Sequence, residues 1–101
     1  SPSQLADAWT AVPLLLLFDW FFDWAQLILR YQLTQDDDGL GMADMRKVVQ
    51  YLAQKSRPAN VLEVQAWILE QRQKVLGKAN LNRALLIESL LAHWLQLPTG
   101  R

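Results

Sequence analysis

Apolar positions recur along the chain with the period of three to four residues that marks helices, and no stretch alternates with period two, so the sequence predicts an all-α fold. Five helical segments can be read. A short one covers residues 3–11 (SQLADAWTA), with Ser3 as N-cap candidate and Pro13 closing it or opening the next. The second runs from about Pro13 to Leu33 and is apolar almost all round, from Leu14 to Phe18 and on through Trp20, Phe21, Phe22, Trp24, Leu27, Ile28, Leu29 and Tyr31. A helix of that kind belongs at the centre of a bundle. The third, from about Asp44 to Ser56, carries Met45, Val48, Val49 and Leu52 on one face and Arg46, Lys47, Gln50 and Gln54 on the others, and Arg57 with Pro58 stops it. Between them TQDDDGLG (Thr34 to Gly41) joins consecutive like charges to two glycines and reads as a loop with nothing to bury.

The fourth helix, Val61 to Leu76, opens on Asn60 and Glu63 at capping-box spacing, with Asn in place of Ser or Thr, and Gly77 is placed as its C′ residue. The fifth starts near Asn80 and runs to about Gln96. Its polar positions Asn82, Ser89, His93 and Gln96 fill only a stripe of about 60° on an ideal wheel, and apolar residues cover most of the rest. Such a helix is either buried inside the bundle or keeps one face for a partner.

At 101 residues and 51% hydrophobic content the chain can build one core, so a compact bundle of about five helices in a single domain spanning 1–101 is expected. Ser1 followed by Pro2 suggests a domain cut from a longer chain. The absence of Cys removes thiolate zinc sites, redox pairs and thiol nucleophiles, and favours a reducing compartment. Ten Lys+Arg balance ten Asp+Glu, which gives no general attraction for nucleic acid or an anionic membrane. The halves differ, however. Residues 1–44 hold seven acids and one base, a net of −6, while residues 45–101 hold nine bases and three acids, a net of +6. Opposite signs of this kind can join the halves of one fold or face two different neighbours. The run VPLLLLF over residues 12–18 has no preceding positive charge, and Asp19 and Asp23 in the same helix would each cost roughly 2.5–3.5 kcal/mol inside a bilayer, which argues against a membrane span.

No constellation supports catalysis, a cofactor or a metal. Asp19 and Asp23 are one turn apart, but Trp and Phe surround them where a hydrolase needs a polar cleft. If Gly39 is aligned as the sixth position of a calcium loop, Met45 falls at position twelve, where a bidentate carboxylate is required. His93 is the only histidine and has no metal-sharing or triad partner in the sequence. No glycine-rich phosphate loop occurs. Arg72, Lys74, Lys78 and Arg83 form a basic cluster, which leaves a small nucleic-acid-binding domain as the alternative function. Five Trp are more telling: Trp20 and Trp24 are assigned to the core, whereas Trp9, Trp67 and Trp94 are candidates for contact with another protein.

The closing segment KANLNRALLIESLLAHWLQL, through Asn80, Asn82, Arg83, Leu85, Leu86, Glu88, Leu90, Leu91 and Trp94, resembles the last helix of the delta-prime subunits of bacterial DNA polymerase III clamp loaders. The upstream order is also similar: the aromatic helix LFDWFFDWAQLILR, a variable acidic loop, and a helix bearing Trp67 that ends in a basic, glycine-containing turn. The resemblance implies a collar domain, one of five helical domains that close into a ring and hold the ATPase-type modules of the subunits in order. It implies as partners the collar domains of other clamp-loader subunits, DNA contact only through the full complex, no small-molecule substrate, and a bacterial cytoplasmic location. The arginine that this family contributes in trans lies in the ATPase-type module, and nothing here matches its motif, so Arg83 is not given that role. The residues expected at subunit contacts are Trp67, Arg72, Asn80, Arg83, Leu86, Glu88 and His93, with Arg83 and Glu88 supplying orienting polar contacts.

Overall fold

A computed structural model describes residues 12–41, 43–77 and 82–99. Among these residues the chain forms four α-helices and a short 3-10 turn, with no strand, so the all-α class holds while the expected count of five becomes four. The segment expected over residues 3–11, with Ser3 and Trp9, lies outside the described residues, as do Lys78 and Asn80.

Helix α1, Leu14–Thr34, begins after Pro13, whose carbonyl accepts from the Leu17 N–H at 3.1 Å. It ends on Gln35, which takes the left-handed conformation and donates its N–H to Tyr31 O at 2.8 Å. Its inward face is Leu17, Phe18, Phe21, Ala25 and Ile28, spaced at helical period. Trp20 does not join them. It is 42% exposed, because its side of the helix is covered by none of the other described elements. The neighbouring Trp24 does pack inward, edge-on to Phe21 at 4.8 Å.

The following loop does bury one residue. Leu40 is buried in the core, between Gly39 and Gly41, whose φ of 84° and 87° lie in the region that glycine adopts freely. These two turns swing a single apolar side chain inward from an otherwise solvated acidic segment.

Helix α2, Ala43–Lys55, has Asp44 in its first turn and Lys55 in its last, both favourable to the helix dipole. Of the stripe Met45, Val48, Val49 and Leu52, only Val49 and Leu52 are buried. Because α2 lies at the edge and packs mainly on α1, Val48 stays half exposed beside a cleft of about 110 Å³ shared with Trp24 and Trp94. Gln32 of α1 fixes the far end of α2, donating to Ala53 O at 3.1 Å and Ser56 O at 3.0 Å. Those carbonyls fall where a helix runs out of its own donors.

Helix α3, Pro58–Leu76, starts earlier than the Asn60 capping box requires. Pro58 occupies its first turn, where a missing N–H costs nothing, and Arg57 O accepts from both Asn60 N–H and Val61 N–H. Asn60 is therefore inside the helix. Gly77 does cap its end, donating to Gln73 O at 2.9 Å, but with φ of −73° and not in the left-handed form. Helix α4, Arg83–Leu95, is capped by Asn82, whose side chain accepts from Leu85 N–H at 3.0 Å, so the start lies past Asn80. Leu86, Ile87, Leu90 and Leu91 are buried, and Leu97 in the turn Leu97–Thr99 closes the core next to α2.

One core results, with Phe18 fully buried at its centre. Phe18→Ala is expected to lower the stability measured by urea unfolding by about 3–5 kcal/mol, the range for deleting a buried aromatic ring.

Candidate subunit interface

Helix α3 places Val61, Val64, Gln65, Ile68 and Gln71 against the rest of the bundle. Its inward face thus includes two glutamines while leucines face out. Leu62 is 54% exposed, Leu69 49% and Leu76 48%, and their spacing of seven residues sets them in one seam along the helix. The polar contact that α3 does bury is satisfied: Gln65 Nε2 donates to Phe22 O at 3.3 Å and to Gln26 Oε1 at 3.0 Å. Beside this seam, Leu27, Arg30 and Leu33 of α1 and Pro58, Leu62 and Gln65 of α3 line a groove of about 730 Å³. Leu16 and Trp20 add further exposed apolar surface on α1.

Trp67 lies about 140–180° around α3 from the three leucines, taking 100° per residue. It is half-buried, edge-on to Phe18 at 6.3 Å, and stacked on His93 of α4 with ring centroids 4.2 Å apart and planes 25° from parallel. His93 Nδ1 is 2.7 Å from Ser89 O. A carbonyl can only accept, so Nδ1 is the donor in this contact. Around this stack Asn60, Glu63, Val64, Gln96 and Leu97 complete a pocket of about 390 Å³. On the outer side of α4, Leu85, Glu88, Ala92 and Leu95 follow at spacings of three and four, with Leu85 and Leu95 more than half exposed. Helix α4 is therefore buried through its middle and apolar on part of its outside.

The residues singled out from sequence separate into groups. Trp67 and His93 meet in the pocket, and Glu88 lies half-buried on the outer side of α4. Leu86, at 9% exposure, belongs to the core. Arg72 holds α3 to α1, its Nε donating to Asp19 Oδ1 at 3.0 Å. Arg83 joins the start of α4 to the segment leading into α1, Nη2 donating to Val12 O. Trp94 faces inward, 5.0 Å from Phe21 and 6.3 Å from Trp24 by ring centroid. Of the basic cluster, Lys74 pairs with Glu70 at 3.7 Å, so all three members within the described residues are engaged inside the domain. The carboxylates of Asp36, Asp37 and Asp38 cluster within 4.8 Å, exposed, with Asp38 N–H donating to Asp36 Oδ1 at 2.9 Å. Sequence reasoning missed the leucine seam, although the spacing of Leu62, Leu69 and Leu76 was there to be read. It also missed Asn60 and Glu63 as neighbours of Trp67, having used them as a cap.

Fold and surface together define the class: among the described residues, a four-helix bundle with exposed apolar surface on one side of its third helix and an aromatic pocket on the other. The chain belongs to the family described as DNA polymerase III, delta subunit, C terminal, which matches residues 1–96. It is similar to the DNA polymerase III subunit delta′ of Pseudomonas aeruginosa, with 66% identity over 96 residues, covering 95% of this chain and 29% of that protein. The kinship expected from the Asn-x-Asn-Arg segment is thereby shown, and the chain spans less than a third of the length of that relative. No solved structure matches the chain. Among the described residues no helix is long and apolar enough to cross a membrane.

The Asp19–Arg72 pair is half exposed on its acidic side and about a third exposed on its basic side. Arg72→Ala is therefore expected to lower stability by less than about 1 kcal/mol in urea unfolding, as for other screened surface pairs.

Proposed function

We propose that this chain is a collar domain of a bacterial replicative clamp loader, a non-catalytic piece that packs head-to-tail with the helical domains of the other subunits. In this reading residues 1–101 form one domain of a longer subunit, working in the bacterial cytoplasm and reaching DNA only through the assembled complex. The collar keeps neighbouring ATPase-type modules in order while a sliding clamp is opened and placed on primed DNA.

The observation that carries the proposal is the two-sidedness of α3. A member of a closed ring with heterologous contacts must present two different surfaces, one to each neighbour, and they must point away from each other. The leucine seam with the α1 groove is one such surface. The Trp67–His93 pocket, continued by Leu85, Glu88 and Leu95 on α4, is the other. Kinship with the C-terminal family of DNA polymerase III subunits supports the identity of the neighbours. Arg72 and Arg83 serve the assembly from inside, Arg72 by tying α3 to α1 and Arg83 by tying the start of α4 to Val12, and Leu86 serves it through the core beneath α4. The engagement of Arg72, Lys74 and Arg83 within the domain weighs against a free nucleic-acid face.

Leu69→Asp tests the first surface. An exposed position of this kind is expected to change stability by no more than about 0.5 kcal/mol, whereas a charge buried in a subunit contact is expected to weaken assembly about tenfold or more. Native mass spectrometry of the full-length subunit mixed with its partner subunits measures the second effect, and thermal unfolding the first. Unchanged assembly with Leu69→Asp removes the leucine seam from the ring contact.

A further inference from the structure

The pocket on the Trp67 side has a chemistry that selects its occupant. Its walls come from α3 (Asn60, Glu63, Val64 and Trp67), from the last turn of α4 (His93 and its C-cap Gln96), and from Leu97. Glu63 is the only acidic or basic side chain among them apart from the imidazole, and it makes no ion pair among the described residues. The carboxyl end of α4 adds to its negative charge, because the carbonyls of a last helical turn lack intrahelical donors and carry the negative pole of the dipole. The amino end of α3 opposes this pole with one of similar size, which leaves the Glu63 carboxylate as the full charge at the pocket. Pro58 has no N–H to present, and the N–H groups of Asn60 and Val61 are already bonded to Arg57 O. An anion is therefore disfavoured here and a cation favoured.

Shape narrows the cation. Trp67 and His93 form a flat, stacked pair, and the nearby acceptors include the Glu63 carboxylate and the Asn60 amide oxygen. A planar guanidinium can stack on aromatic rings and divide five N–H donors among separate acceptors, which a compact, strongly hydrated ammonium cannot do. The volume of about 390 Å³ admits a guanidinium with several waters at about 30 Å³ each. We infer that this pocket receives an arginine side chain from the neighbouring subunit, an inference that rests on the assembly role proposed above. Glu63 supplies the charge partner, Trp67 and His93 the stacking surface, and Asn60 an additional acceptor.

The test uses the full-length subunit reconstituted with its partner subunits, and phenylglyoxal, which modifies accessible arginines, as the probe read by mass spectrometry. An arginine of one partner that reacts when that partner is free should be protected in the wild-type complex. Glu63→Lys should restore its reactivity and weaken association about tenfold or more, the loss expected for one charge-assisted contact. Glu63→Gln, which keeps the shape, should show a smaller shift in the same direction, and both variants should unfold at the wild-type temperature because Glu63 is exposed. Undiminished association and protection with Glu63→Lys overturns the inference, as does a lysine, read in parallel with acetic anhydride, protected in place of an arginine, and either result leaves the assembly role standing. If the subunit without its helical domain assembles as tightly as the complete one, both readings fall together.

Discussion

The covering of one face of α1 is the constraint on which the rest of the domain depends. This helix is 21 residues long, so it spans about 30 Å, and a single row of large side chains from Leu17 to Ile28 must be kept from water along most of it. Three elements share the task. Helix α2 covers one edge, α3 the other, and α4 closes the middle, where Trp94 meets Phe21 while Trp67 of α3 meets Phe18, both edge-to-face. Because α3 and α4 are each needed on α1 through only part of their circumference, their remaining surface is left outward. The two-sided exterior of α3 is thus a consequence of how the core is built, and the surface available for assembly is set by the same packing that holds the domain together.

Polar side chains set the relative positions of the helices where apolar contact by itself would let them slide. Gln32 grips the end of α2, Gln65 reaches the backbone of α1, Arg72 meets Asp19, and Arg83 meets Val12 O. Each of these joins residues far apart in sequence, and all four contacts involve α1 or Val12, two residues before it. Their individual contributions are small, at about 0.5–1.5 kcal/mol for a neutral hydrogen bond, but they penalise alternative registers in which the same groups would be left unsatisfied.

The helices themselves were legible because period and breakers act locally. The bounds read for α1 and α2 fall within a residue of those observed, since Pro13, the acidic loop and Pro58 end helices whatever surrounds them. What depended on tertiary contact was less legible. Asn60 with Glu63 looked like a cap, yet Pro58 two residues earlier starts the helix, and the two side chains instead border a pocket. Trp20 looked like core because α1 is apolar all round, but the other three described helices leave its side of α1 uncovered. Leu40 lies in a loop and is nonetheless buried, since two glycines turn it inward. In the candidate interface, Trp67 and His93 could be named from composition and spacing. Their stacking on each other, and the company of Glu63, came only with the docking of α4 on α3.

The central claim is that α3 divides two contacts with two different neighbours. This chain contains no Cys, so a single cysteine introduced into it is the one thiol that these 101 residues carry. The most direct measurement is to introduce Leu69→Cys and Leu95→Cys separately into the subunit, with a short thiol-to-amine cross-linker in the reconstituted complex, and to identify the attached partner by mass spectrometry. The account predicts one neighbour from Leu69→Cys and a different neighbour from Leu95→Cys. Attachment of both to the same neighbour, or to none while a cysteine at Lys47 on α2 cross-links efficiently, would contradict it.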